Sequence, residues 1–301
     1  MIRTYFVVGP TASGKTEYAL RLAEKTGGEI VSADSMQIYK YMDIGSAKPS
    51  SQELSRVKHY LIGEVDPRRL FSVADYQKLA IGYIQEIASK GKTPVVCGGT
   101  GLYINSLIYD MDFSAPEGSD DYRNMILRQE EGDNIRLHER LRRLDPQAAD
   151  AIHPNNVKRM LRAIERLENG EEKLAEFSKM TKPSRILEPV MIGMDVPRDI
   201  LYERINVRVD KMFEAGLEQE VRNLMDMGFD SSDVAMKGIG YKEIIDALNA
   251  GESADSAREK IKLNTRHYAR RQLIWLRRYD MIRWMDPSGE IPDELLFSRQ
   301  L

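Results

Sequence analysis

The first apolar run of the chain, Tyr5-Phe6-Val7-Val8, shows no polar alternation, the pattern of a strand buried on both faces of a parallel sheet. A helical run from Glu17 to Lys25 follows, Gly27-Gly28 stops it, and Glu29-Ile30-Val31-Ser32 reads as a second strand. Such crossovers are almost always right-handed with parallel strands. Ser72 is placed to cap a helix from about Val73 to Lys90, in which Leu79, Tyr83, Ile84 and Ile87 fall at helical spacing. Gly91 closes it, and Thr93 to Cys97 forms another buried strand. From about Asp112 the pattern changes. Pro116, Gly118 and Ser119 mark a linker, and residues 120 to 170 carry long helical runs without a convincing strand. Residues 171 to 187 are polar, Pro183 and Pro189 bracket a loop, and Val190 to Met194 reads as a strand that rejoins the first sheet. Pro197 then opens a long helix, Arg198 to Met227, with Leu201, Ile205, Val209, Met212, Phe213 and Leu217 as its core face. A last helical run covers Ser256 to Tyr279.

Composition narrows the class. The chain has 301 residues, 42% hydrophobic and 30% charged, the balance of a soluble globular protein with ample core. No apolar run approaches the ~18 residues of a membrane span, and Ile2 to Val8 is too short and wrongly flanked for a signal peptide, so a cytoplasmic protein is expected. The single cysteine, Cys97, excludes an internal disulfide or a multi-cysteine zinc site, and its apolar setting marks a small buried residue rather than a nucleophile. The net charge of -3 hides a local basic stripe, because between Arg258 and Arg283 nine Lys or Arg face only Glu259 and Asp280.

The strongest chemical signal follows the first strand. Gly9-Pro10-Thr11-Ala12-Ser13-Gly14-Lys15-Thr16 fits GxxxxGK[ST], with the strand before and the helix after that a phosphate loop requires. Gly9 and Gly14 let successive amides turn around an anion, Lys15 adds positive charge, and Thr16 offers a hydroxyl to magnesium at a helix N-terminus. The expected fold class is therefore α/β, a P-loop NTPase-like parallel sheet flanked by helices. Residues 1–111 and 190–301 form the core and 112–189 an inserted all-helical domain.

Asp34-Ser35-Met36-Gln37 lies at the carboxyl end of the second strand, where open parallel sheets bind ligands. A carboxylate there can bind magnesium, accept a proton or cap the next helix. The strand ending at Cys97 runs into Gly98-Gly99-Thr100-Gly101 where most P-loop hydrolases place an acid. Those glycines allow backbone to approach a ligand beside the Thr100 hydroxyl, or they simply make a tight strand-to-helix turn. In the helical segment, Asn155 or Asn156 can cap a helix on which Arg159 and Arg162 share a face, suited to phosphates or to Glu partners. Arg204 and Arg208, four apart, raise the same choice. In the last helix, arginines interleaved with Tyr268 and Trp275 either follow a nucleic-acid backbone and stack on bases, or face water while Trp275 and Leu276 are core.

Together GPTASGKT, Asp34-Ser35-Met36-Gln37, GGTGLY, His153-Pro154-Asn155-Asn156 leading to Arg159 and Arg162, and the Thr265 to Arg278 helix resemble the bacterial tRNA dimethylallyltransferase family, in the family's order and over residues 3 to 280. The resemblance implies transfer of a dimethylallyl group from dimethylallyl diphosphate to the N6 amine of adenosine at tRNA position 37, next to the anticodon. It implies a Mg2+ cofactor on Thr16, a diphosphate held by Gly9, Thr11, Ala12, Ser13, Gly14, Lys15, Thr16 and Arg208, and a monomeric enzyme. Asp34 would act as base, with Thr100 orienting the amine and Lys15 beside the leaving group. The tRNA anticodon stem-loop would be held by Asp34, Ser35, Met36, Gln37 and Thr100, and by Arg123, Lys158, Arg159 and Arg162 in the insertion. One departure, Lys58-His59-Tyr60-Leu61-Ile62-Gly63 where members read His-His-Leu-Ile-Asp, leaves that segment without a role.

Three other classes share some of these features. A small-molecule kinase would use the same loop but gives no reason for the basic last helix. A prenyltransferase for free adenine nucleotides would not need extended basic surfaces. A non-catalytic RNA-binding protein would not need Lys15, Thr16 and Asp34 together.

Overall fold

The computed structural model describes residues 1–111, 120–169 and 182–297. Its six-stranded, all-parallel sheet has the order β3-β2-β4-β1-β5-β6, formed by β1 (Ile2–Val8), β2 (Glu29–Ala33), β3 (His59–Tyr60), β4 (Pro94–Gly98), β5 (Leu187–Met194) and β6 (Arg283–Met285). Tyr5 to Val8 are buried because β1 sits between β4 and β5, with Tyr5 opposite both Val95 and Val190. Topology thus sets the carboxyl ends of β2, β4 and β1 side by side, the edge where such sheets bind ligands.

The helices are α1 (Lys15–Thr26), α2 (Ser51–Arg56), α3 (Val73–Ser89), α4 (Gly101–Ile108), α5 (Asp120–Gln129), α6 (Asn134–Leu144), α7 (Pro146–Ala151), α8 (Val157–Glu168), α9 (Arg198–Glu214), α10 (Leu217–Asp226), α11 (Tyr241–Asn249), α12 (Arg258–Leu276) and α13 (Asp293–Phe297). Ser72 and Asp75 close a reciprocal capping box at the start of α3. The helix expected over Arg198 to Met227 is two helices. Gly216 adopts φ +97°, a left-handed angle that ends one helix and starts the next. The return strand begins at Leu187 rather than Val190, and it tolerates Pro189 because β6 pairs only with Ile192 to Met194, leaving one edge of β5 unpaired at the proline. The short strand β6 carried no clear apolar pattern and was not expected.

The chain divides into two compact units, Met1–Ile108 with Ser184–Leu301, and Tyr109–Pro183. The second is helical. Ile126, Leu137, Leu141, Ile152, Met160, Leu161 and Ile164 form its core, and its first and last residues, Tyr109 and Pro183, meet in an antiparallel bridge. The expected linker at Pro116, Gly118 and Ser119 lies outside the described residues. Among the described residues no helix is long and apolar enough to cross a membrane.

Candidate active site

The loop between β1 and α1 alternates unusual backbone angles, φ +63° at Ala12 and +84° at Gly14. For alanine that conformation costs about 1 kcal/mol, and it persists where surroundings impose it. The result is a loop with several uncommitted amides. Those of Ala12, Gly14, Lys15 and Thr16 meet no acceptor among the described residues, whereas Thr11 N–H donates to Gln272 Oε1 at 2.9 Å. Lys15 Nζ donates to the Pro10 carbonyl at 3.1 Å. Ser13 Oγ is fully buried and has no hydrogen-bond partner among the described residues, an orphaned hydroxyl inside an anion nest.

Charge is concentrated beside this nest. Burial holds the Lys15 ammonium below the ordinary lysine range, offset in part by Cys97 and Asp34, while nearby Arg208 pushes it further down. Burial also lowers the Arg208 guanidinium, against the opposing pull of Asp34 and Glu53. Arg208 and Ala12 line one cleft of about 480 Å³ with Glu203, Arg204, Val207 and Lys211. Cys97 is not a nucleophile here, because burial pushes its thiol up to about 11.

Asp34 follows β2 in a turn in which its Oδ1 accepts from the amides of Met36, at 2.9 Å, and Gln37, at 3.4 Å. Oδ2 has no hydrogen-bond partner among the described residues, so one carboxylate oxygen is fixed and the other is open to a donor. Thr100 Oγ1 accepts from Ser35 N–H at 3.1 Å and donates to Ser35 Oγ at 3.4 Å, and the pKa of the Tyr268 hydroxyl beside it is pushed up to about 12, by burial first and the Asp34 charge second. Gln37 is locked by its Nε2 donating to the Ala47 carbonyl at 3.0 Å, and Met36 packs against Gly238.

The glycines at the end of β4 and in the turn after it lie against protein atoms. A Cβ at Gly98 would sit 2.2 Å from the Ala33 carbonyl oxygen, at Gly99 2.3 Å from Gln272 Nε2, and at Gly101 2.3 Å from the Trp275 ring. The tight strand-to-helix turn of the sequence reading is present, with these three glycines against protein atoms. The basic last helix changes meaning with it. Trp275 lies against Gly101 and donates through Nε1 to the Tyr279 hydroxyl at 2.9 Å, so it is packed rather than free to stack on a base. Arg270 and Arg277 are exposed, while Arg271 lies over Tyr268 and Arg278 over Trp275.

Sequence reasoning gave no role to Gln272. It is 6% exposed, and besides accepting from Thr11 it donates to the Gly99 carbonyl at 3.0 Å, pinning the phosphate loop to the turn that carries Thr100. A lone amide on the buried face of an arginine-rich helix, shared with Ala269 and Leu276, was the available signal.

In the helical unit, Asn156 Oδ1 accepts from Arg159 N–H at 3.3 Å and caps α8. Met160, Leu161, Ala163 and Ile164 fill the inner face, which leaves Lys158, Arg159 and Arg162 exposed on the other, with no ion pair among the described residues. Arg123 differs. Its Nε donates to buried Glu165 at 2.9 Å, so its guanidinium is held against α8.

The fold and its loop define a P-loop protein. A family model described as IPP transferase matches residues 37–279, and the chain belongs to that family. It is 48% identical over 292 residues to the tRNA dimethylallyltransferase of Acetivibrio thermocellus, covering 96% of this chain and 93% of that protein. The crystal structure of a tRNA isopentenylpyrophosphate transferase from Bacillus halodurans superposes with a TM-score of 0.71 at 39% identity, covering 98% and 93% of the two chains. A eukaryotic dimethylallyltransferase acting on tRNA gives 0.82 at 26% identity, covering 95% of this chain and 74% of that one.

Proposed function

We propose that the protein transfers a dimethylallyl group from dimethylallyl diphosphate to the N6 amine of an adenosine beside the anticodon of tRNA. The observation that carries this reading is Asp34, one oxygen held by the Met36 and Gln37 amides and the other open, within electrostatic reach of Lys15 in the phosphate loop and of Arg208. Relatives named for this activity, 46–48% identical over nearly the whole chain, support it.

The chemistry follows from the charges. As the allylic carbon–oxygen bond breaks, its electron pair leaves with the diphosphate, and the amides of Ala12, Gly14, Lys15 and Thr16, with Lys15 Nζ and Arg208, oppose the charge that accumulates. The adenine amine is a weak nucleophile because its lone pair is delocalised into the ring. Asp34 Oδ2 accepts its proton as the new carbon–nitrogen bond forms. Thr100, fixed by the backbone and side chain of Ser35, orients the amine, and Ser35, Met36 and Gln37 border the base. A loop nucleotide leaves its stack at less cost than a paired one.

Magnesium fits the donor set. Among the described residues no cluster of three or more His, Cys, Asp or Glu exists to cage a cation, but Mg2+ characteristically takes one or two protein oxygens and completes its shell with water and phosphate. The Thr16 hydroxyl, without a hydrogen-bond partner among the described residues, would hold it, with buried Ser13 Oγ close by in the loop. When bound, the ion neutralises part of the diphosphate charge.

Lys158, Arg159 and Arg162, with Arg123 oriented by Glu165, contact the RNA backbone in this reading. In this reading the enzyme acts as a monomer, and a tRNA substrate implies a cytoplasmic enzyme. Incubation with labelled dimethylallyl diphosphate, Mg2+ and unmodified tRNA, followed by digestion, is expected to yield labelled N6-dimethylallyladenosine. Unlabelled RNA, with phosphoryl transfer from ATP in its place, would refute the reading.

A further inference from the structure

Outside the phosphate loop, one carboxylate on the sheet-bearing unit is saturated by donors from two distant segments. Glu220, on α10, accepts through Oε2 from the amides of Asp43 at 2.8 Å and Ile44 at 2.7 Å. Through Oε1 it accepts from Gly45 N–H at 3.0 Å and from the Tyr241 hydroxyl at 2.6 Å. An ionised carboxylate has about four lone-pair sites, and all are used. Gly45 is obligatory at this contact, since a Cβ there would lie 2.5 Å from Tyr241 Cζ. Three consecutive amides turned onto one carboxylate form an anion nest filled by the protein's own side chain.

The anchored segment leads directly to the base-side residues. It continues into a turn in which Ala47 N–H donates to the Ile44 carbonyl at 3.0 Å and Lys48 N–H to that of Asp43 at 3.0 Å. The Ala47 carbonyl in turn accepts Gln37 Nε2 at 3.0 Å, and Ser32 Oγ donates to Gln37 Oε1 at 3.3 Å, so the Gln37 side chain is set by what holds residues 43 to 47. Gln37 closes the turn begun by Asp34. We infer that Glu220 is a positioning residue for tRNA, acting through residues 43 to 47 to fix Gln37 and the segment that meets the target base, and that it takes no part in holding the prenyl diphosphate.

This inference rests on the proposed tRNA reaction, and two separate readouts distinguish its failure from that of the reaction. Glu220→Gln keeps the shape but turns an amide donor onto backbone donors. Hydrogen exchange at residues 43 to 45 is expected to accelerate at least about tenfold, the loss of a charge-assisted hydrogen bond. With wild-type enzyme as control, KM for tRNA should rise about tenfold while KM for dimethylallyl diphosphate stays within about twofold. Because the effect runs through Gln37, the double variant Glu220→Gln with Gln37→Ala should be no worse than Gln37→Ala alone. If Glu220→Gln fails to fold, Glu220→Asp, which withdraws the charge by one methylene, supplies the same readouts. Unchanged KM for tRNA in an active enzyme, additive effects in the double variant, or equal rises in both KM values would overturn the inference. A wild-type enzyme that leaves tRNA unlabelled would instead overturn the reaction on which it rests.

Discussion

The phosphate-loop core and the helical unit display their basic side chains in opposite ways. In the core, Lys15 is half-buried and bonded to the Pro10 carbonyl, Arg208 shares its field, and the surrounding loop is pinned by Gln272. On α8, Lys158, Arg159 and Arg162 project away from a packed apolar face and meet no acid among the described residues. Fixed, desolvated charge suits a transition state, where preorganised donors act at no reorganisation cost. Exposed charge suits a polyanion backbone, where affinity comes from many screened contacts. In the proposed reaction the same residue types therefore serve catalysis in one unit and capture in the other.

The contrast can be broken from either side. Lys15→Gln should reduce transfer by about 10²- to 10³-fold in single-turnover assays while tRNA affinity stays near wild type. The wild-type rate should also fall on the alkaline side as pH rises through the Lys15 pKa, which burial places below the ordinary value of 10.5. That limb should be missing from Lys15→Gln, since glutamine carries no proton to lose. Arg159→Ala combined with Arg162→Ala should weaken tRNA binding about tenfold or more and reduce the slope of log K against log salt by about 2, with single-turnover chemistry at saturating tRNA unchanged. Wild-type salt dependence in that variant would remove α8 from the gripping surface. Smallest is Gln272→Ala, which leaves the Thr11 amide and the Gly99 carbonyl without a partner and should cost about 1–3 kcal/mol of stability, read as a lowered Tm.

Much of the core was legible because its signals are local. An uninterrupted apolar strand, a glycine-bearing phosphate loop and a capped amphipathic helix each announce themselves within about ten residues. The placement of Asp34 followed from strand polarity alone. What was not legible depends on contacts between segments far apart in the chain. The glycines after β4 look open to a ligand until Gln272 and Trp275, some 170 residues later, are seen against them. Trp275 reads from sequence either as a stacking platform or as core, and its hydrogen bond to Tyr279 marks the packed alternative. The break at Gly216 was missed because a single glycine inside a periodic run costs only about 1 kcal/mol, too little to decide between a kinked and a divided helix.

The central claim is that Asp34 takes the proton from the target amine. It is tested most directly by single-turnover transfer with Asp34→Asn, with tRNA affinity measured on the same preparation. Asparagine keeps the oxygen that accepts from Met36 and Gln37 while removing the basic one. Transfer is expected to be slower by about 10²- to 10⁴-fold with tRNA binding essentially unchanged. A variant that transfers the prenyl group at the wild-type rate would contradict it.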